Sequence, residues 1–440
     1  MAQGRKSSTE VSLRPSRTSL RSIGAMRLGD IANEGARQYG KPLDGVRVLA
    51  AEQMQALPYA TQLLARLGAD VVKVEHPVHG ESGRASTPAM VDPDGRMVGA
   101  TYLRNNFGKR SVGIDLKLPE GHQLFLDLVP HFDVVAENFK PGTMDRMGLG
   151  YDVIAKHHPR AVFVSISGFG NTVETPYRDW PAYASIVEAM SGIYDYRHPE
   201  QPPVTIPVGA LGDISSALFG VIGILAALRH RDRTGEGQYV DIAMFDAMVA
   251  MTDIVTNFWS LGVRPEPGKG LEVICEGFRA SDGYVVAQIV REHQFWNLGD
   301  LVGRPEWRAD PRFATRTGWA AAFESEIRPA VDAWAGQRTK LEAARELTAA
   351  GVVAGPSNHA SDVIADPHVA ARHMLVEMPR TDGVGEPVLV PGNPVKLSKM
   401  AEGPETRVPW VGEHTAAVLA EELGVSATDL AALRERGVVS

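Results

Sequence analysis

Val46-Arg47-Val48-Leu49-Ala50, then residues 56–67, then Ala69-Asp70-Val71-Val72-Lys73-Val74-Glu75, make up the stretch that decides the fold. The first segment is short and mostly apolar, as a buried strand requires. The second carries Leu57, Leu63, Leu64 and Leu67 at helical spacing on one face, and Gly68 follows where a helix C-terminus favours glycine. The third reads as a second strand. A strand, a helix and a strand within about thirty residues define a βαβ unit with parallel pairing. The alternation continues with a helix near 118–131, a strand at Asp133–Glu137, a helix near 149–157 and a strand at Ala161–Ser165. This pattern predicts an α/β fold with an open parallel sheet.

Further along, residues 213–230 predict a helix with Ile214, Leu218, Val221, Ile222 and Leu225 on its apolar face. Residues 234–237 break it, and Gln238–Met244 reads as another strand. Glu272–Arg279 and Gly283–Val290 suggest a hairpin around Ser281-Asp282-Gly283. Helices near 291–301, 318–335 and 340–350 follow. The expected organisation is a flexible basic extension over 1–42, a large α/β part over 43–245, a smaller α+β unit over 246–350 and a return to the large part over 351–440. That last part ends in an amphipathic segment at 413–435, and Pro199–Pro207 reads as a loop.

Composition narrows the function. Hydrophobic residues are 44% and charged residues 22% of the 440, the balance of an ordinary globular chain. The single cysteine, Cys275, excludes a disulfide framework and a cysteine-built zinc site, and fits a reducing compartment. A cytoplasmic location is expected. No apolar run approaches the length of a bilayer-spanning helix, so no membrane partner is expected. The net charge of −8 argues against nucleic acid as the main partner, because phosphate contacts need a basic field. Residues 1–41 carry eight Lys/Arg and three Asp/Glu, a net of +5, so the remaining 399 residues hold −13. That Arg- and Ser-rich start is either a basic extension or an organelle transit peptide, with Met1 and Met26 both open as the start.

Neither G-x-G-x-x-G after the first strand nor G-x-x-x-x-G-K-[ST] anywhere is present, so the nucleotide fingerprints are missing. The carboxyl ends of the strands remain the expected ligand side. Gly209-Ala210-Leu211-Gly212-Asp213 places a carboxylate at the start of a long helix. Asp213 reads either as a helix cap or as a nucleophile kept ionised by the free amides and the dipole, with the glycines admitting close approach of a bulky group. Glu137-Asn138-Phe139-Lys140-Pro141-Gly142 and Arg146 leave a strand at its carboxyl end. Lys140 and Arg146 there are either ordinary surface cations or a hold on phosphate. His76-x-x-His79 has metal-ligand types but no legible third ligand, so no metal is expected.

Several segments, taken in order, are similar to one family, the class III CoA-transferases. They are Leu43–Val48, Leu67–Glu75, Asn106–Asp115, Glu137–Gly148, Ser167-Gly168-Phe169-Gly170, Leu211-Gly212-Asp213, Thr234–Asp241 and Val411–Thr415. The family includes formyl-CoA transferase, carnitine CoA-transferase and α-methylacyl-CoA racemase. The resemblance implies a Rossmann-like large domain built from both chain ends, a smaller α+β domain, and an interlocked ring-shaped homodimer. It implies that Asp213 attacks an acyl-CoA thioester to give a mixed anhydride and then an aspartyl-CoA thioester, with no permanently bound cofactor. Acyl-CoA and a small carboxylic acid are the implied partners. By the same matching, Gln55 and Ala56 lie near the thioester, and Asn138, Phe139, Lys140, Arg146, Ile114 and Lys117 contact CoA. His76 stands where the formyl-CoA branch has Arg. Tyr183-Ala184 occupies the place of the racemase branch's His-Asp pair, which removes one of its two bases. The Pro181-Ala182-Tyr183 run and the Cys275–Tyr284 hairpin are more similar to the carnitine branch. A CoA-transferase is therefore expected, with a CoA-dependent racemase and a non-catalytic acyl-CoA binder as alternatives.

Overall fold

The computed structural model describes residues 24–178, 180–194, 210–264 and 273–440. The readings on Gly209, Pro199–Pro207, Glu272 and residues 1–23 lie outside these. Six parallel strands form the central sheet: β1 (Arg47–Ala51), β2 (Asp70–Glu75), β3 (Lys109–Gly113), β4 (Val134–Glu137), β5 (Val162–Ser167) and β6 (Tyr239–Ala243). Their spatial order is 3-2-1-4-5-6, the doubly wound order of dinucleotide-binding folds, which reverses between β1 and β4.

Both faces of the sheet are covered. Val48 and Ala50 of β1 point into one core with Val134, Ala136, Val162, Val164 and Ile166. Leu49 and Ala51 point into the other with Val72, Val135 and Phe163. This is why the strands read as apolar runs and not as alternating patterns. Helix α1 (Ala56–Arg66) crosses from β1 to β2. Helices α2 (Ala184–Met190), α3 (Leu211–Thr234) and α4 (Met244–Met251) join it on the first face. The other face is covered by residues 125–154 and by the chain's end, through Val418, Leu419, Leu430, Val438 and Val439.

Helix α3 departs from its sequence reading. Its buried side is built from small residues: Gly212, Ser215, Ser216, Ala217, Gly220 and Ala227, with Ile224. Of the five large side chains chosen as its core face, Val221 and Leu225 do pack against that core and Ile214 is half-buried, whereas Leu218 at 44% and Ile222 at 61% exposure look outward. Small residues win the interior because they let backbones approach: a Cβ at Gly220 would lie 3.2 Å from Ile166 and 3.9 Å from Ala60. The helix is also long and apolar enough to cross a membrane, which the sequence reading missed. Half of that stretch is buried in the fold, so here it is a crossover helix between β5 and β6.

Two boundaries move. The smaller unit has its own core of Phe278, Phe295, Trp307, Phe313 and Trp319, around the hairpin Ile274–Ala280 and Gly283–Ile289. The strand Val353–Pro356 pairs with that hairpin, so the unit runs past residue 350. At its other end α4, placed in it by the sequence reading, packs with the large sheet through Met248. Nor is the start a free extension as far as residue 42. Met26–Arg27 pairs in parallel with Leu375–Met378, and Met26 is buried with Val376, Met378 and Val390. Strand addition works through backbone hydrogen bonds, so it leaves no periodicity to read.

Candidate active site

Strand order places the ligand crevice at the carboxyl ends of β1 and β4. Two loops meet there. Asn138, directly after β4, donates from Nδ2 to the Gln53 carbonyl (2.9 Å) and accepts the Gln53 amide on Oδ1 (2.9 Å). The loop leaving β1 is thus zipped to the loop leaving β4. Glu137 accepts the Phe139 amide at 2.8 Å, and burial pushes its carboxyl up to about 7, with the Ser165 hydroxyl opposing.

The residues singled out from the sequence fall along this rim. Gln55 and Ala56 open α1. His76 follows β2, its ring stacked on His79 at 5.0 Å and 3.9 Å from Asp115. Among the described residues no group of three or more His, Cys, Asp or Glu is arranged to hold a metal ion. Lys117 is exposed after β3, Lys140 is exposed after β4, and Phe139 is half-buried. Arg146 is exposed with its guanidinium steadied by the Thr143 hydroxyl at 2.9 Å. Ile114 differs: its side chain is core, packed with Val439 and Phe125, and offers no surface to a ligand. Tyr183 stands just before α2 and is 72% exposed.

Asp213 is the third residue of α3, and Ala210 flanks the helix without a side-chain cap. The capping reading of Asp213 therefore does not hold. Gly212 serves packing rather than substrate approach, since a Cβ there would lie 2.9 Å from the Ala184 Cα. The Tyr183-Ala184 pair accordingly abuts the turn that carries Asp213. Helices α1 and α3 both start at the carboxyl rim and touch at Ala60 and Gly220. Asp213 is seven residues before that contact and Ala56 four. At 1.5 Å per residue Asp213 stands about 4–5 Å further toward the ligand side than Ala56.

The electrostatics of Asp213 also reverse the expectation. Burial first, and the Glu188 carboxylate second, push it up to about 6, while Arg104 opposes them. Arg104 sits over the Tyr59 ring at 5.2 Å, linking α1 to the surroundings of Asp213. A carboxyl near 6 is still mostly ionised at pH 7.5 and is more basic than an exposed one. Glu188 and Arg104 escaped the sequence reading because each sits in unremarkable helical context, and Glu137 was read only as the head of its motif. Tertiary burial marks Glu188 and Glu137, and proximity to Asp213 marks Arg104.

The chain belongs to CoA-transferase family III, whose family model matches residues 43–415; it is a CoA-transferase. Among particular relatives, it is 35% identical over 405 residues to the succinyl-CoA–L-malate CoA-transferase beta subunit of Chloroflexus aurantiacus, covering 90% of this chain and 98% of that one. It is 36% identical over 389 residues to the succinyl-CoA:mesaconate CoA-transferase of Haloarcula hispanica, covering 87% and 96%. A CaiB/BaiF family protein from Brucella suis superposes with a TM-score of 0.76 at 34% identity, covering 87% of this chain and 99% of that one.

The raised Asp213 carboxyl has a consequence for stability. Its folded value, about 6, lies above the ordinary 3.8, so the native state favours the neutral form. The group's contribution is most favourable below about pH 4, falls as pH rises toward 6, and stays unfavourable above. Asp213→Asn should therefore stabilise the fold at pH 7.5 by on the order of 1–3 kcal/mol, with the gain shrinking by pH 5. Urea melts of both proteins at the two pH values check this; a variant less stable at pH 7.5 would mean the carboxylate is ion-paired.

Proposed function

We propose that the protein moves CoA from succinyl-CoA, or a similar short dicarboxylic acyl-CoA, to a second short carboxylic acid, with Asp213 as nucleophile. The observation that carries this reading is the place of Asp213, a basic, partly buried carboxylate at the ligand rim of a family III CoA-transferase. The printed activities of the two relatives supply the substrate class.

The chemistry balances without a metal or redox partner. An Asp213 oxygen bonds to the thioester carbonyl carbon, the C–S bond breaks, and CoA leaves as thiolate. The thiolate then attacks the Asp213 carbonyl of the mixed anhydride and expels the donor carboxylate, leaving an aspartyl-CoA thioester. The acceptor carboxylate attacks that thioester and releases thiolate again. Thiolate finally takes the acceptor's acyl group and returns Asp213 as carboxylate. Four exchanges leave no net change in charge or protonation. A racemase would need a second base beside this turn, where Tyr183-Ala184 stands and Ala184 has no proton to exchange.

Self-association into an interlocked dimer belongs to the same proposal. Ile186, Leu218, Ile222, Val249, Met251 and Trp259 leave apolar side chains exposed on α2 to α4 and the helix after them, and patches of this kind mark association surfaces.

Three expectations follow from this reading. Asp213→Ala should abolish transfer while CoA binding and the melting curve survive; hydroxylamine added during wild-type turnover should convert Asp213 to a hydroxamate detectable by peptide mass spectrometry. A screen of short carboxylic acids against succinyl-CoA names the acceptor, and turnover retained by Asp213→Ala would remove the residue from the mechanism. CoA phosphates meet a protein body that is net acidic, so local cations must attract them. Arg146→Ala and Lys140→Ala should raise KM for acyl-CoA more than they lower kcat. The Arg146 effect should be the larger, because its planar fork grips phosphate, and both should shrink at high salt. Unchanged KM in both would reduce these residues to a surface turn. Sedimentation at nanomolar concentration should still show a dimer, because interlocked chains separate only by partial unfolding; an active monomer there would end the dimer proposal.

A further inference from the structure

Glu188, on α2, is 2% exposed, and both of its oxygens are committed. Oε1 accepts the backbone amide of Gly212 at 3.1 Å, and Oε2 accepts the Tyr194 hydroxyl at 2.9 Å. Gly212 is the residue next to Asp213, and its close approach to Ala184 presses α2 against the same turn. Among the described residues no Lys or Arg forms an ion pair with Glu188, and its partners are neutral donors. A fixed negative charge thus sits beside the turn that carries the nucleophile.

We propose that Glu188 is a positioning residue for Asp213: it anchors the first turn of α3 and sets a like charge against the free carboxylate, favouring the acylated enzyme. The inference rests on the reading of Asp213 as nucleophile. In the resting enzyme two carboxylates share a region poor in water, a costly arrangement. In the mixed anhydride and in the aspartyl-CoA thioester Asp213 carries no charge. The repulsion therefore disappears as the first covalent bond forms. An anhydride lies above a thioester in free energy, so raising the level of the free carboxylate narrows the gap that acylation must climb. The groups acting on Asp213 divide accordingly. Glu188 from α2 raises its basicity, together with burial, whereas Arg104, from the helix over residues 100–105, and the amides of α3 itself favour its charge. The balance stands on the raised side.

Glu188→Gln is the direct test, because its amide oxygen can still accept the Gly212 amide while the charge is gone. Carboxyl carbon NMR, with the Asp213 signal assigned by its loss in Asp213→Asn, should show Asp213 titrating at lower pH in the variant. That readout does not depend on turnover. The acidic limb of kcat against pH should move down with it, kcat at pH 7.5 should fall roughly 5–10-fold, and KM for acyl-CoA should hold within about 2-fold. Glu188→Asp, which restores a charge, should recover part of both effects. A folded Glu188→Gln protein with unchanged Asp213 titration, or with a shifted titration and unchanged kcat, overturns the inference. Activity retained by Asp213→Ala overturns the nucleophile reading instead, whatever the titration shows. Should Glu188→Gln fail to fold, Tyr194→Phe is read in its place. It strips a donor from the Glu188 carboxylate, so Asp213 should titrate at higher pH, and no movement there also overturns the proposal.

Discussion

One buried carboxylate ties the ligand rim together. Glu52 is the first residue after β1. It takes Lys109 of β3 at 2.6 Å, Lys73 of β2 at 3.6 Å and the Thr61 hydroxyl of α1 at 2.7 Å. Lys109 also donates to the Pro58 carbonyl and the Asn106 side chain at 2.8 and 3.0 Å, and Lys73 to the Glu52 carbonyl at 3.1 Å. Burial alone would push the Glu52 carboxyl up, yet the two ammonium groups hold it below the ordinary range, while burial brings Lys109 down to about 8. Breaking such a cluster by removing one partner typically costs about 3–5 kcal/mol, because the remaining charges stay buried. Next to it, Glu81 accepts the amides of Met54 and Gly83 at 2.9 and 2.6 Å and holds Met54 at φ +61°. That left-handed residue turns the chain out of β1 and aims Gln53 at Asn138. The crevice is therefore shaped by charges that never touch a ligand.

Most of the sheet was legible because its strands are buried on both faces, and that property writes itself into short apolar runs such as Val46–Ala50. Strand β3, Lys109-Arg110-Ser111-Val112-Gly113, was missed because its first three residues are polar and enter the sheet by pairing with Glu52, Asp70 and Glu75. The ligand side, at the carboxyl ends of the strands, was legible from the parallel α/β pattern, whereas the crevice between β1 and β4 needed the strand order that the structure supplies. Helix α3 was misread for a physical reason. A hydrophobicity pattern selects the stripe of largest side chains, whereas close packing against α1 and β5 selects glycine, serine and alanine. Once those small residues occupy the interior, Leu218 and Ile222 are left facing out. The Met26 strand was missed because a two-residue backbone pairing carries no pattern at all.

For Asp213 two known effects oppose each other, and their sizes decide between them. A charge in the first turn of a helix gains about 0.3–1 kcal/mol from the dipole at exposed positions. Removing a carboxylate from water beside a second carboxylate outweighs that here, as the rise from 3.8 to about 6 records. The sequence displays only the helix start. The opposing carboxylate comes from α2, more than twenty residues upstream, which packs on Gly212 through Ala184, Val187 and Glu188.

The missing glycine fingerprint has a structural counterpart. In dinucleotide-binding folds with this strand order, the pyrophosphate rests on free amides at the start of the first crossover helix. Here that helix begins Ala56-Leu57-Pro58. Pro58 has no amide hydrogen, and all three residues are buried. The Pro58 carbonyl is moreover engaged by Lys109. This turn lacks the glycine-lined run of free amides that cradles a pyrophosphate, so the proposed function calls for other groups to meet the phosphates of CoA. The next loop across the switch point, Asn138 to Arg146, offers exposed cations on a backbone already pinned to Gln53. In the proposed function that loop takes over the charge recognition, and the apolar start of α1 stands beside Asp213, where the reacting end of the thioester would be received.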